Sequence, residues 1–282
     1  MNKKFAELAK KSKVIVIKVG SNILVNEKHS LRKKWLASLV EDVQKLQRKG
    51  SKIIIVSSGA IALGRKILYK KKLTNLHEKQ AAASIGQIQL SQEWQKAFAK
   101  CKIQSSQILI TAEDLNERRK YLNIRNTIYS LMDLNVVPII NENDTTSTEE
   151  IRFGDNDKLS AMIANVLSAE LLILLSDVNG LYTSNPKKST QAKLITSVEE
   201  VNQQIEKYID KDLSEFGSGG MLAKVNAAKL CIQSGSTMII SNGLVNNPLG
   251  NIHPKSSTWF LPSKNILTSR QQWIWNRPIQ KA

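Results

Sequence analysis

Cysteine is nearly missing from this chain. Cys101 and Cys231 stand far apart, and neither has a C-x-x-C neighbour. That pattern speaks against a disulfide framework and against a thiolate zinc site. Histidine is equally sparse: His29, His77 and His253 are scattered and form neither a metal cluster nor a catalytic triad. No metal-ligating residue is expected. Long apolar runs are missing too, and none approaches the roughly 20 residues of a membrane span. The basic start, Met1 to Lys13, lacks the apolar stretch of a secretory signal. The expectation is a reduced, cytoplasmic protein with no membrane partner. Two common nucleotide signatures are also absent. Without G-x-x-x-x-G-K-[ST] the chain is no P-loop protein, and without G-x-G-x-x-G after a strand a dinucleotide fold has no support. Internal repeats, linkers and low-complexity segments are not found.

Acidic residues are in short supply. Against 41 Lys+Arg there are 24 Asp+Glu, a formal charge of +17. Such a field favours anionic partners: RNA, an acidic membrane surface, or small anions such as nucleotides and carboxylates. The positive charges are dispersed, however, and the longest run is Lys70-Lys71-Lys72. No segment interleaves basic and aromatic residues as a base-stacking platform requires. A solvated lysine-rich surface is therefore expected over a dedicated polyanion face, with no specific nucleic-acid partner.

What is present is a series of short apolar runs, each closed by polar residues. Val14 to Val19 ends in Lys18 and Gly20, and Ile53-Ile54-Ile55-Val56 ends in Ser57-Ser58-Gly59-Ala60. Val136 to Ile140 ends in Asn141-Glu142-Asn143-Asp144, and Leu171 to Leu175 ends in Ser176-Asp177. Runs of this kind read as buried strands of a parallel sheet. Further strands are expected at 107–111, 237–241 and 260–261. Between them, apolar residues at helical spacing predict helices over about 31–46, from Ala60 to Ile67, and over 78–99, 117–134, 158–168 and 221–234. The segment 194–213 reads as a strand entry and a helix. At 282 residues with 41% hydrophobic content, the chain can bury a sizeable core. Alternating strands and helices predict an α/β protein, a three-layer α/β/α sandwich with a mainly parallel central sheet, as one domain over 1–282. A break near Ser176 would separate an acceptor-binding half, about 14–175, from a nucleotide-binding half, about 176–277.

In an open parallel sheet a ligand sits beyond the carboxyl ends of the strands, so the polar closures are candidate site residues. A lysine inside an apolar strand, as Lys18 is, is costly to bury unless it meets an anion. At a sheet edge its amine would instead snorkel to water. Gly20 opens the backbone to a ligand. Gly217-Ser218-Gly219-Gly220, with Lys224 one helical turn beyond, has the make-up of a phosphate cradle at a helix N-terminus, or of a plain turn. Asn141-Glu142-Asn143-Asp144 and Gly154-Asp155-Asn156-Asp157-Lys158 are dense polar loops. Each is also what Asx-turns and helix caps look like, and Asp157 would serve as a cap before Lys158-Leu159-Ser160-Ala161.

Several of these pieces coincide with known motifs: Lys18-Val19-Gly20-Ser21, Val56-Ser57-Ser58-Gly59-Ala60-Ile61, Ile140-Asn141-Glu142-Asn143-Asp144, Gly154-Asp155-Asn156-Asp157-x-Leu159-Ser160-Ala161, Ser176-Asp177-x-x-Gly180-Leu181-Tyr182 and Gly219-Gly220-Met221-x-x-Lys224. In this order and spacing, over about residues 14–277, the chain resembles the glutamate kinases of the amino acid kinase family. The resemblance implies that family's fold. It also implies transfer of the γ-phosphoryl group of ATP, with Mg²⁺, to the side-chain carboxylate of L-glutamate. It would give Lys18, Gly20, Ser176, Asp177, Ser218, Gly219, Gly220, Met221, Leu222, Ala223 and Lys224 to the nucleotide. Ser58, Asn141, Asp144 and Asn156 would hold glutamate, with Asp144 suited to its α-ammonium. Asp157 would orient Lys18 and Lys224, and these three would be the catalytic residues. A homo-oligomer, dimer or tetramer, is implied as well. Ser21 stands where many relatives have Thr, and Leu222 and Ala223 stand where hydroxylated residues are common. Many bacterial members carry a C-terminal RNA-binding PUA domain, whereas this chain ends at Ala282, where the kinase domain would finish. Other readings are an amino acid kinase with a different acceptor, and a non-catalytic basic RNA-binding relative.

Overall fold

The polar closures converge because the strands before them run parallel. The structure, a computed structural model, describes residues 1–68, 72–147, 155–186, 188–208 and 220–262. Its strands are β1 (Val14–Val19), β2 (Lys52–Ser57), β3 (Ser105–Ile110), β4 (Val137–Glu142), β5 (Leu171–Ser176), β6 (Ser197–Val198), β7 (Thr237–Asn242) and β8 (Ser257–Phe260). They form one sheet in the order β3-β4-β2-β1-β5-β7-β8-β6. From β3 to β7 every neighbouring pair is parallel, while β8 runs antiparallel to β7. The chain leaves β1 toward β2 on one side and returns to it with β5 on the other. β1 thus lies at the reversal of strand order, where a crevice opens beyond the carboxyl ends.

Strand periodicity sorts the core onto two faces. Ile15, Ile17 and Val19 face a cluster with Ile53, Ile55, Leu171, Ile173 and residues of α1 (Lys3–Lys11), α3 (Lys33–Gln47) and α5 (Leu76–Lys100). Val16 faces the other cluster, with Ile54, Val56, Leu172 and Leu174. That second face is covered by α6 (Arg118–Asp133), α7 (Asp155–Val166), α8 (described over 203–208) and α9 (Gly220–Ser234). The three-layer sandwich of the sequence reading is the observed architecture. Two shorter helices, α2 (Ser21–Leu24) and α4 (Ala60–Ile67), follow the ends of β1 and β2.

Several elements depart from expectation. The basic N-terminal stretch forms α1: Asn2 Oδ1 accepts from Lys4 N at 3.0 Å, and Phe5 and Ala9, one turn apart, are buried. Charge masked that short apolar pair in the sequence. The helix expected over 158–168 starts at Asp155 and ends at Val166, so Asp157 lies inside its first turn and is not the cap. The final strand is longer than 260–261, because Ser257 to Phe260 pair with β7. Residues 209–213 and the Gly217-Ser218-Gly219 run lie outside the described residues.

α4 and α5 pack backbone to backbone through two glycines. A Cβ on Gly64 would lie 1.7 Å from Ala82 O, and one on Gly86 would lie 1.9 Å from Ala60 O. Gly86→Ala should therefore destabilise the protein by about 3 kcal/mol, as overpacking of a tight contact does. That outweighs the roughly 1 kcal/mol that alanine gains in a free helix. Thermal unfolding checks this, and an unchanged or raised Tm would contradict the close crossing.

Candidate active site

Lys18 points the same way as Val16, toward the face covered by α7 and α9. Those helices bring polar groups to it, and Asp177 after β5 acts on it as well. Asp157, in the first turn of α7, is fully buried. Its Oδ1 lies 2.6 Å from Lys18 Nζ and its Oδ2 lies 3.0 Å from Lys224 Nζ. Lys224 sits on the first turns of α9 and also donates to Gly220 O at 3.2 Å. One carboxylate thus holds two ammonium groups from separate segments, and Asp177 at the end of β5 is a second negative group acting on Lys18. Burial by itself would raise the Asp157 carboxyl, but Lys18 and Lys224 outweigh it and hold the group below the ordinary range. Lys18 is lowered, chiefly by burial and further by Lys224, with Asp157 offsetting part of the shift.

A second cluster adjoins the first through consecutive residues. Asn156 Nδ2 donates to Ser58 Oγ at 2.8 Å and to Asn141 Oδ1 at 3.1 Å. Ser58 follows β2 and precedes Gly59, whose φ of 111° is open to glycine and turns the chain into α4. Asn141 is nearly at the end of β4 and buried. Asp144 lies two residues beyond that strand, partly buried. The first turn of α7 is therefore the joint: Asn156 belongs to the amide and hydroxyl cluster, Asp157 to the lysine cluster.

At the end of β5, Ser176 Oγ donates to Asp177 Oδ1 at 3.2 Å, and Asn22 Nδ2 approaches Asp177 Oδ2 at 3.4 Å. Gly20 N donates to Leu175 O at 3.3 Å, which ties the loop after β1 to β5. Gly220, Met221, Leu222 and Ala223 form the start of α9, and a Cβ on Gly220 would meet nothing within 4 Å. Ser218 and Gly219 lie outside the described residues. Sequence reasoning missed the supports of this site. Trp94 Nε1 donates to Ser57 Oγ at 2.9 Å, and Gln87 Oε1 accepts from Asn141 Nδ2 at 2.9 Å. A polar Gln at helical spacing from Trp94 was the available signal, and nothing local marked it as more than surface.

Comparison with known proteins bears on the family and the fold. Residues 13–242 match the family described as "Amino acid kinase family". A glutamate 5-kinase from Pelagibacter ubique is 49% identical over 267 residues, 94% of this chain and 73% of that protein. A glutamate 5-kinase from Paramagnetospirillum magneticum is 43% identical over 265 residues, 93% of this chain and 72% of that protein. Among solved structures, a carbamate kinase from Giardia lamblia bound to AMP-PNP superposes with a TM-score of 0.62 at 17% identity, covering 90% of this chain and 100% of that one. That likeness speaks for the fold alone. With the parallel sheet, the lysine pair on one carboxylate and these matches together, the chain belongs to the amino acid kinase family, in its glutamate 5-kinase branch.

Proposed function

We propose that the chain transfers the γ-phosphoryl group of ATP to the side-chain carboxylate of L-glutamate, giving L-glutamyl 5-phosphate, the first step of proline biosynthesis. The observation that carries this reading is the pair of clusters joined at Asn156 and Asp157. One is cationic and suits phosphates; the other is neutral and hydrogen-bonding and suits a polar acceptor. In-line transfer then runs across the joint. The glutamate carboxylate, with a solution pKa of about 4.3, is already ionised at neutral pH and needs no general base. Its oxygen forms a bond to the γ-phosphorus while the bond to the β-phosphate oxygen breaks, and ADP leaves with the electron pair. Such a reaction asks chiefly for alignment and charge neutralisation.

Lys18 and Lys224 neutralise the transferring group, and Asp157 keeps both ammonium groups on one line. Gly20 leaves room beside Lys18 Nζ for the phosphates, and the Gly219-Gly220 pair offers them backbone donors, with Ser218, Ser176, Asp177 and Met221 to Ala223 lining the nucleotide. Ser58 and Asn156 donate to or accept from glutamate, and Asp144 takes its α-ammonium. α4 begins at Ala60, two residues after Ser58, and a helix N-terminus favours an anion. Among the described residues no group of three His, Cys, Asp or Glu side chains forms a metal cage. We infer that Mg²⁺ would arrive on the ATP phosphates, as it commonly does. Held with the nucleotide beside Lys18, Ser176, Asp177 and Lys224, Mg²⁺ would supply charge that offsets what develops on the transferring group. The acceptor half is about 14–175 and the nucleotide half about 176–277. No helix among the described residues is long and apolar enough to cross a membrane. A cytoplasmic enzyme working as a homo-oligomer is the setting we infer.

The test is trapping of the acyl phosphate by hydroxylamine. Glutamate with ATP and Mg²⁺ should give the hydroxamate. Aspartate, one methylene shorter, should react about 10²-fold more slowly, because a misplaced acceptor forfeits alignment. Equal rates for the two amino acids would sink the acceptor assignment, and no ATP consumption with either would favour a non-catalytic relative.

A further inference from the structure

We propose that Gln87 is a positioning residue that sets which way the amides of Asn141 and Asn156 face, and so makes the acceptor pocket select an ammonium-bearing substrate. This inference rests on the glutamate reading above. An amide has one end that only accepts hydrogen bonds and one that only donates. The two ends are nearly alike in shape, so their neighbours decide the orientation. Gln87 Oε1 accepts from Asn141 Nδ2 at 2.9 Å. Asn141 Oδ1 is thereby turned the other way, where it accepts from Glu142 N at 2.9 Å and from Asn156 Nδ2 at 3.1 Å. Asn156 Nδ2 shares its other hydrogen between Ser58 Oγ, 2.8 Å away, and the Ser57 carbonyl, 3.3 Å away. Asn156 Oδ1 is the end of this chain: it is buried and has no hydrogen-bond partner among the described residues. A buried carbonyl oxygen in that condition calls for a donor. An α-ammonium group, with three N–H donors, supplies one; a substrate lacking it does not.

Gln87 is itself held. Its Nε2 donates to Ser91 Oγ at 3.1 Å and approaches Gln107 Oε1 at 3.4 Å, and Ser91 Oγ donates to that same oxygen. The relay thus runs from β3 through α5 and β4 to the first turn of α7. A separate observation points the same way. Gln80, Gln87 and Trp94 recur every seven residues on α5, close to two helical turns, and so share one stripe. Gln80 Nε2 donates to Ser147 O at 3.2 Å and Trp94 Nε1 to Ser57 Oγ at 2.9 Å. This stripe of α5 therefore fastens the loop after β4, the end of β4 and the end of β2, all on the acceptor side.

Gln87→Leu removes the acceptor and leaves a buried Asn141 NH₂ group unpaired, so the facing of the two amides then rests on Glu142 N and Ser57 O alone. Gln87→Glu keeps an oxygen in the same place. The readouts are KM for glutamate, KM for ATP, kcat, and the inhibition constant of glutarate, which lacks the ammonium group. In Gln87→Leu the glutamate KM should rise about tenfold, the scale of one lost buried hydrogen bond. ATP KM and kcat should stay within about twofold, the pattern of lost ground-state binding. Glutarate inhibition should change far less, so that discrimination between the two ligands falls, and Gln87→Glu should recover most of the glutamate affinity. A wild-type glutamate KM in Gln87→Leu would overturn the inference. So would equal losses for glutamate and glutarate with a lowered Tm and no recovery in Gln87→Glu, the behaviour of a mere structural prop. A wild-type protein that makes no glutamyl hydroxamate would overturn the acceptor reading and this inference with it, whereas the other two outcomes overturn the inference alone.

Discussion

Asp157→Asn should lower kcat by about 10³-fold, since it unfixes two charge-neutralising groups at once and alignment supplies most of the catalysis. The substitution keeps the volume but leaves Lys18 and Lys224 facing each other without the carboxylate that holds them at 2.6 and 3.0 Å. Breaking a buried ion pair from one side costs about 3–5 kcal/mol of stability, so the nucleotide-free variant should also melt lower. Bound ATP brings its own negative charge to the lysines. The gap in Tm between variant and wild type should therefore narrow with saturating ATP. The pH dependence follows from the sign of the shift. The Asp157 carboxyl is held below its ordinary value of 3.8, so its contribution to stability is fully present above that value. That contribution is lost as pH falls through the lower folded value. Acid unfolding of the wild type should show this loss and Asp157→Asn should not. A variant with wild-type kcat and wild-type acid unfolding would remove Asp157 from the centre of the site.

Lys224→Ala should lower kcat by about 10²–10³-fold, the effect of removing one electrostatic stabiliser of a charged transition state. The glutamate KM should stay nearly unchanged, because Lys224 belongs to the cluster on the nucleotide side and the amide cluster around Asn156 does not include it. Steady-state kinetics with each substrate varied in turn separates the two effects. Wild-type kcat in this variant would reduce Gly220 and the following Lys224 to a plain helix start.

The parallel sheet and its polar edge were legible in the chain itself. Runs such as Ile53 to Val56 and Leu171 to Leu175 are short, apolar on both faces and closed by Ser, Asn, Asp or Gly, which leaves little choice but buried parallel strands. Lys18 was legible too, since an ammonium group in such a run needs an anionic partner. The helix α1 was not, because its burial rests on two residues, Phe5 and Ala9, among lysines. Nor was the length of β8, which pairing with β7 decides.

The sequence by itself determined which chemical groups are available, their order, and the strand ends on which they sit, because periodicity and local turn chemistry are short-range properties. Only the tertiary structure decided which of them meet. Asp157 reads locally as a helix cap; packing of α7 and α9 on the Val16 face makes it the counter-ion of lysines 139 and 67 residues away in the chain. Gln87 reads locally as helix surface; the crossing of α4 and α5 at Gly64 and Gly86 accompanies its placement against Asn141. Hydrogen bonds and ion pairs act over a few ångströms in space whatever the separation along the chain. Their partners are therefore fixed by how the layers close, which no local pattern records.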